Sequence, residues 1–294
     1  MKKINLVLIL LLTLGLSACS KAKTQAVEKP QDQVVKVHFS KKYQVNATPT
    51  LIFHGAMSNY HAEESLVKKA KKLGFTNNVI RANVDPDGKV SFQGTLKRDA
   101  VNPVVEVNYQ NNVQLILPKA GMYAVNVVKA LKEQYGIQKV NMVAHSLGNM
   151  SVMYYLLYSQ EQKLPKLNKQ VAIAGLFDGI KMTNATEDMR QPSNLKLNSA
   201  GKPNKMNSTY RTFLKLRKTY SQDQIPVLNI VGDVKGKSDG LVSNISSESL
   251  KYLVGSDSNY QLRKYEGPAA DHGRLTYNTQ VTTDIVNFLW NQKN

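Results

Sequence analysis

The chain carries a serine, a histidine and an aspartate, each in a local setting suited to acyl-transfer chemistry. The apolar run Val140-Asn141-Met142-Val143-Ala144 ends abruptly in His145-Ser146-Leu147-Gly148-Asn149, and a helix-like sequence follows at once. Such a pattern places a serine on the sharp turn between a buried strand and a helix, with its hydroxyl standing clear of the sheet edge. Ala144 and Gly148 suit that turn because larger side chains would collide with the neighbouring strand or helix. The usual G-x-S-x-G spacing has alanine in place of its first glycine here. A serine in this place also serves simply as a helix cap, so the motif needs partners before it signifies chemistry. A serine hydroxyl is a poor nucleophile until an imidazole removes its proton, and that imidazole needs a carboxylate to hold its tautomer.

Both partners have candidates downstream. After the strand-like Val227 to Val231 comes Gly232-Asp233-Val234-Lys235-Gly236-Lys237-Ser238-Asp239-Gly240-Leu241-Val242. Asp239 is the favoured acid, since Gly240 permits a tight turn that aims the carboxylate inward. Asp233, directly after the strand, is the competing candidate and suits a brace within the loop. A further strand, Tyr260 to Tyr265, precedes Gly267-Pro268-Ala269-Ala270-Asp271-His272-Gly273, and His272 is the candidate base. Among the other histidines, His38 lies near the N-terminal polar segment, His61 begins a helix, and His54 and His145 belong to other motifs. Upstream, Thr50-Leu51-Ile52-Phe53 runs into His54-Gly55-Ala56, where an ordinary turn and an oxyanion loop are both compatible with the sequence. In the second case the amides of Ala56 and Leu147 would face the oxyanion that forms during acyl transfer.

The elements that must position these groups alternate in type. Thr50 to His54, Val79 to Val84, Lys89 to Phe92, Val104 to Tyr109, Val140 to Ala144, Val171 to Ala174, Val227 to Val231 and Tyr260 to Tyr265 read as strands. Ala62 to Leu73, Gly121 to Gln134 and Asn278 to Trp290 read as helices, with basic helical segments at Leu66 to Lys72 and Tyr210 to Lys218. The alternation predicts an α/β fold with a mostly parallel central sheet flanked by helices. Asp85-Pro86-Asp87-Gly88 predicts a turn joining two antiparallel strands. Leu66, Ala70 and Leu73 are expected on the core face of the first helix. The polar stretch 178–207 is either a lid over the site or a loop. Asn46, Asn184 and Asn207 begin N-x-Ser/Thr sequons.

The N-terminus has its own logic. Lys2 and Lys3 precede an apolar stretch from Ile4 to Leu16 that ends in Leu16-Ser17-Ala18-Cys19. A bilayer span needs about 20 apolar residues, so this shorter stretch predicts an export signal over residues 1–18. The Leu-Ser-Ala-Cys ending resembles a bacterial lipobox, which implies that Cys19 is lipidated and becomes the first mature residue. The polar segment 19–33 is expected to be a flexible tether and residues 34–294 one domain. The protein is then exported and held on the outer face of the bacterial membrane. Cys19 is the only cysteine, which leaves no internal disulfide and no cysteine-based redox or metal role. Net charge is +18, a field that attracts polyanions in general. The chain lacks nucleic-acid-reader motifs, and its exported setting favours anionic cell-wall polymers and lipid headgroups as its polyanions.

The motifs Phe53-His54-Gly55, Asn102-Pro103-Val104-Val105, Ala144-His145-Ser146-Leu147-Gly148 and Ser238-Asp239-Gly240-Leu241-Val242, with the late His272, resemble the alpha/beta-hydrolase superfamily. Within it they are most similar to the DUF915 family of exported bacterial hydrolases. The resemblance covers nearly all of the mature domain and implies Ser146 as nucleophile, Asp239 as acid and His272 as base, in the chain order of that fold. Two positions depart from it: Ala56-Met57-Ser58 stands where more glycine is common, and Asn149 replaces a frequent second glycine after the serine turn. The expected activity is hydrolysis of an ester or related acyl bond in a small-molecule or lipid substrate, with no metal or organic cofactor. A non-catalytic surface protein binding anionic wall polymers is the alternative.

Overall fold

A computed structural model describes residues 47–255 and 259–290. The expected signal, the tether and the lipid-anchor candidate Cys19 lie outside the described residues, as do His38 and Asn46.

In chain order the elements are β1 (Thr50–Phe53), α1 (Glu64–Lys72), β2 (Val79–Val84), β3 (Val90–Gln93), β4 (Val104–Tyr109), α2 (Leu117–Tyr135), β5 (Lys139–His145) and α3 (Gly148–Ser159). There follow β6 (Lys166–Ile173), α4 (Ser208–Phe213), α5 (Leu216–Asp223), β7 (Val227–Asp233), α6 (Asn244–Glu248), α7 (Leu250–Val254), β8 (Tyr260–Glu266) and α8 (Thr279–Trp290). The strands form one eight-stranded sheet in the order β3-β2-β4-β1-β5-β6-β7-β8. Every neighbouring pair is parallel except β2 with β3, which is antiparallel across the Asp85–Gly88 turn. Because β1, β5, β7 and β8 run the same way, the loops after them gather at one edge of the sheet. Open parallel sheets bind ligands there, outside the carboxyl ends of the strands.

Burial on both faces explains why β5 reads as a nearly continuous apolar run, broken by the buried Asn141, rather than an alternating one. One core cluster joins the sheet to α2, α3, α5 and α7, and a second joins it to α1 and α8. Helix α2 stops at Gly136, which takes the left-handed conformation (φ 68°) and donates its N–H to the Lys132 carbonyl, an arrangement glycine adopts without a Cβ clash. In α1 the core face is Leu66, Val67 and Ala70. Leu73, expected on that face, is the C-terminal cap and is 52% exposed. The helix ends one residue too early to turn it inward.

The structure departs from the sequence reading at β6 and in the basic stretch after residue 207. β6 begins at Lys166 rather than Val171, because its polar first half has specific partners. The Lys169 ammonium donates to the carbonyls of Phe288 and Leu289 at the end of α8, each at 2.9 Å, and Asn168 donates to the Asn141 side chain at 2.8 Å. The basic stretch around Tyr210 to Lys218 forms two helices, α4 and α5, the first capped by the Asn207 side chain accepting from the Tyr210 N–H at 2.7 Å. Residues 178–207 contain only isolated bridges, Ile180 with Arg190 and Leu197 with Pro203. They are nonetheless pinned: Ile180, Met189 and Leu195 are buried, and the Ser246 hydroxyl donates to the Gly179 carbonyl at 2.7 Å. Among the described residues no helix is long and apolar enough to cross a membrane.

Candidate active site

Ser146 follows the last residue of β5 and is separated from the first residue of α3 by Leu147, with φ at 52°. A non-glycine residue in the left-handed region at a strand-to-helix turn stores strain and lifts its side chain out of the sheet. The turn is held by its surroundings. The Ser146 N–H donates to the Ile173 carbonyl at 2.9 Å. The Asn149 side-chain amide contacts the carbonyls of Ala144, Ser146 and Ile173 at 3.2, 3.0 and 3.1 Å. The asparagine that departs from the familiar glycine therefore cross-links the end of β5, the turn and the end of β6. Sequence reasoning marked Asn149 only as a departure, since its partners come from two strands.

Gly148 meets the backbone at the end of β1. A Cβ there would stand 2.6 Å from the His54 carbonyl oxygen and 2.8 Å from that of Phe53. Neither backbone atom can swing aside, so Gly148→Ala is expected to lose about 1–3 kcal/mol or more, as overpacking does. For a domain of this size that lowers the thermal midpoint by roughly 2–4 °C per kcal/mol. A melting curve matching wild type would show that the turn does not depend on this close approach.

His272 and Asp239 converge on the serine. His272 Nε2 lies 2.9 Å from Ser146 Oγ, and its Nδ1 lies 2.7 Å from Asp239 Oδ2. A carboxylate can only accept, so the Nδ1–H donates to Asp239 and Nε2 presents its lone pair to the serine hydroxyl. Asp239 is 2% exposed, and its other oxygen accepts the amides of Leu241 and Val242 at 2.9 and 2.7 Å. The turn that provides those amides requires Gly240 at φ 97°, where a side chain would be strained. Asp233 has a different task. Its Oδ1 accepts the Lys237 N–H at 3.1 Å and its carbonyl accepts the Gly267 N–H at 3.0 Å, which ties the end of β7 to the loop after β8. The preceding Gly232 allows that loop to come close, since a Cβ on it would stand 2.0 Å from the Ala270 carbonyl oxygen.

The loop after β1 supplies the second half of the site. Gly55 packs against the serine turn, where an added Cβ would stand 3.1 Å from Ser146 Cβ. The Tyr109 N–H donates to His54 Nε2 at 3.1 Å, so the proton resides on Nδ1, which donates to the Gly55 carbonyl at 2.8 Å. Burial lowers the His54 pKa, which keeps this bridge between β4 and the loop neutral. Met57 adopts φ 55°, the conformation a glycine takes without strain, and the loop is fastened instead by bonds to Asn112. The Met57 N–H donates to the Asn112 carbonyl at 2.9 Å, and the Asn112 side chain donates to the Ser58 carbonyl at 2.9 Å. These contacts replace the missing glycines. Among the described residues the amides of Ala56 and Leu147 have no hydrogen-bond acceptor. Gly55, Ala56, Leu147 and Gly148 line a cleft of about 20 Å³ together with Tyr109 and Ser151. Among the described residues no group of His, Cys, Asp or Glu is arranged to hold a metal ion.

The lin2722 gene product of Listeria innocua is similar over 85% of this chain and 96% of its own, at 24% identity and a TM-score of 0.73. A candidate cell surface hydrolase from Lactobacillus plantarum WCFS1 is similar over 82% of this chain and 89% of its own, at 16% identity and a TM-score of 0.60. At these identities the likeness is one of fold. No curated protein sequence matches the chain. The model of one family, described as alpha/beta hydrolases of unknown function, matches residues 38–292, and the chain belongs to that family, DUF915.

Proposed function

We propose that the protein is a serine hydrolase, exported and lipid-anchored, that cleaves a carboxylic ester or related acyl bond through an acyl-enzyme intermediate. The observation that carries this reading is the unbroken hydrogen-bonded chain from Asp239 through His272 to Ser146, set beside two unpartnered amides. His272 Nε2 takes the Ser146 proton as Oγ attacks the substrate carbonyl carbon. The developing oxyanion sits against the Ala56 and Leu147 amides, and Asp239 stabilises the imidazolium. His272 then returns the proton to the leaving oxygen, and water repeats the sequence to release the acid.

The site's side chains and amides account for each of these steps, and none is routed through a metal or organic cofactor. The substrate is a small-molecule or lipid acyl ester. The test is hydrolysis of p-nitrophenyl esters of increasing acyl length by the full-length protein. Turnover supports the reading. A folded protein that cleaves no ester, thioester or amide contradicts it and turns attention to binding of anionic wall polymers, the role the +18 charge suits.

The exported setting rests on the signal-like residues 1–18 and on the cell-surface name of the Lactobacillus plantarum relative. Two acyl chains on Cys19 supply the stable anchoring that one does not. Cys19→Ser is accordingly expected to leave the membrane pellet in cell fractionation, and retention of the variant there would refute the anchor.

A further inference from the structure

One buried carboxyl near the site takes no part in this chemistry. Glu63 ends the short 3₁₀ turn Tyr60–Glu63 ahead of α1 and is 2% exposed. Its Oε1 is buried and, among the described residues, has no hydrogen-bond partner. It lies 3.8 Å from Nδ1 of His145, the residue immediately before the serine. The far side of the same ring faces His272. His145 Nε2 is 3.0 Å from the His272 carbonyl oxygen, and the two imidazole centroids are 4.8 Å apart. A carbonyl only accepts, so His145 carries its proton on Nε2 and donates it. The His272 main chain is thereby held at both ends, since its N–H donates to the Asp239 carbonyl at 2.9 Å.

We propose that Glu63 and His145 form a buried positioning pair that fixes His272 through its main-chain carbonyl. The proposal rests on the serine-hydrolase reading. A neutral imidazole has two tautomers, and only the one with hydrogen on Nε2 makes the bond to His272. A carboxylic acid facing Nδ1 selects that tautomer by offering a proton to the lone pair, whereas a carboxylate would draw the hydrogen to Nδ1 and leave two acceptors facing each other. The surroundings favour the neutral forms. Burial pushes the Glu63 carboxyl well above the usual carboxylate range, with the Glu106 carboxylate adding to the effect. Burial and the neighbouring His272 push His145 down to about 3. The 3.8 Å separation is longer than a hydrogen bond, so the carboxyl faces the ring nitrogen in van der Waals contact. Gly55 abuts the same nitrogen, where an added Cβ would come to 3.3 Å from His145 Nδ1. The pair therefore touches the oxyanion loop, the serine turn and the base at once.

The test compares Glu63→Leu, Glu63→Gln and His145→Phe in the full-length protein. Leucine fills the space without a donor, glutamine restores a donor toward Nδ1, and phenylalanine keeps the ring but removes the bond to His272. Glu63→Leu and His145→Phe are expected to lower kcat about 10- to 100-fold, as small misplacements of a catalytic group do, with KM little changed. Glu63→Gln is expected to recover most of that loss. The His272 Nδ1–H proton resonance, read by NMR without turnover, should shift in Glu63→Leu and return in Glu63→Gln. Folded Glu63→Leu with wild-type kcat and an unmoved resonance overturns the proposal. If the wild type turns over no ester, the hydrolase reading fails separately, and the resonance still decides whether the pair positions His272. Should His145→Phe fail to fold, the two Glu63 variants carry the decision.

Discussion

Ser146→Ala is expected to lower kcat for any ester substrate by about a million-fold, the scale seen when the nucleophile of a triad is removed. The Oγ is the only atom of Ser146 within reach of His272 Nε2, at 2.9 Å. Alanine keeps the turn, since the Ser146 N–H and carbonyl make the bonds that hold it. Stability should stay close to wild type, and relief of a buried hydroxyl at φ 52° is no gain because alanine inherits the same backbone. The residual rate over water, about a thousandfold or more, would come from the oxyanion amides and substrate binding. Measurement of kcat alongside a melting curve checks both halves. A variant with comparable turnover would place the nucleophile elsewhere.

Asp239→Asn is expected to lower kcat about ten-thousandfold, while Asp233→Asn stays within about threefold of wild type. The reason lies in the two amides that Asp239 Oδ1 accepts, from Leu241 and Val242. In the asparagine variant those donors hold the amide oxygen where Oδ1 was, which turns the NH₂ toward His272 Nδ1. Two donors cannot face each other, so Nδ1 must give up its hydrogen and Nε2 must carry it. His272 then cannot accept the Ser146 proton. At position 233 the amide oxygen continues to accept from Lys237, and His272 feels no change of tautomer. Parallel kcat measurements on the two variants decide between the two acids that the sequence left in competition. Equal losses would mean that the carboxylates act together, and a larger loss at 233 would reverse the assignment.

What could be read from the sequence was whatever depends on neighbours in the chain. The apolar run into Ala144-His145-Ser146-Leu147-Gly148 predicts a strand, a strained turn and a helix because each is a local event, and the turn is found with Ser146 at φ 52°. The inward aim of Asp239 follows from Gly240 in the same way. The alternation of strands and helices predicted the parallel sheet, and the Asp85–Gly88 turn predicted the one antiparallel pair, β2 with β3. Contacts between distant segments were silent. Asn149 looked like a lapse from pattern, yet it bridges two strand ends and the turn. Met57 looked like a poor oxyanion-loop residue, yet Asn112, far along the chain, fastens the loop. Glu63 signalled only a helix start, because an acidic residue there is ordinarily a solvated partner of the helix dipole. The polar start of β6 was hidden because its lysine ends at α8, a pairing no periodicity reveals. Leu73 satisfied the helical spacing but fell on the cap, where helix length rather than pattern decides burial.

The central claim, an activated serine at position 146, is tested most directly by treating the full-length protein with a fluorophosphonate and locating the adduct by mass spectrometry of its peptides. The account predicts one phosphonyl adduct on Ser146, formed in wild type, absent in Ser146→Ala and strongly slowed in His272→Ala. A folded wild-type protein that takes up no label, or takes it up at another residue, would contradict the account.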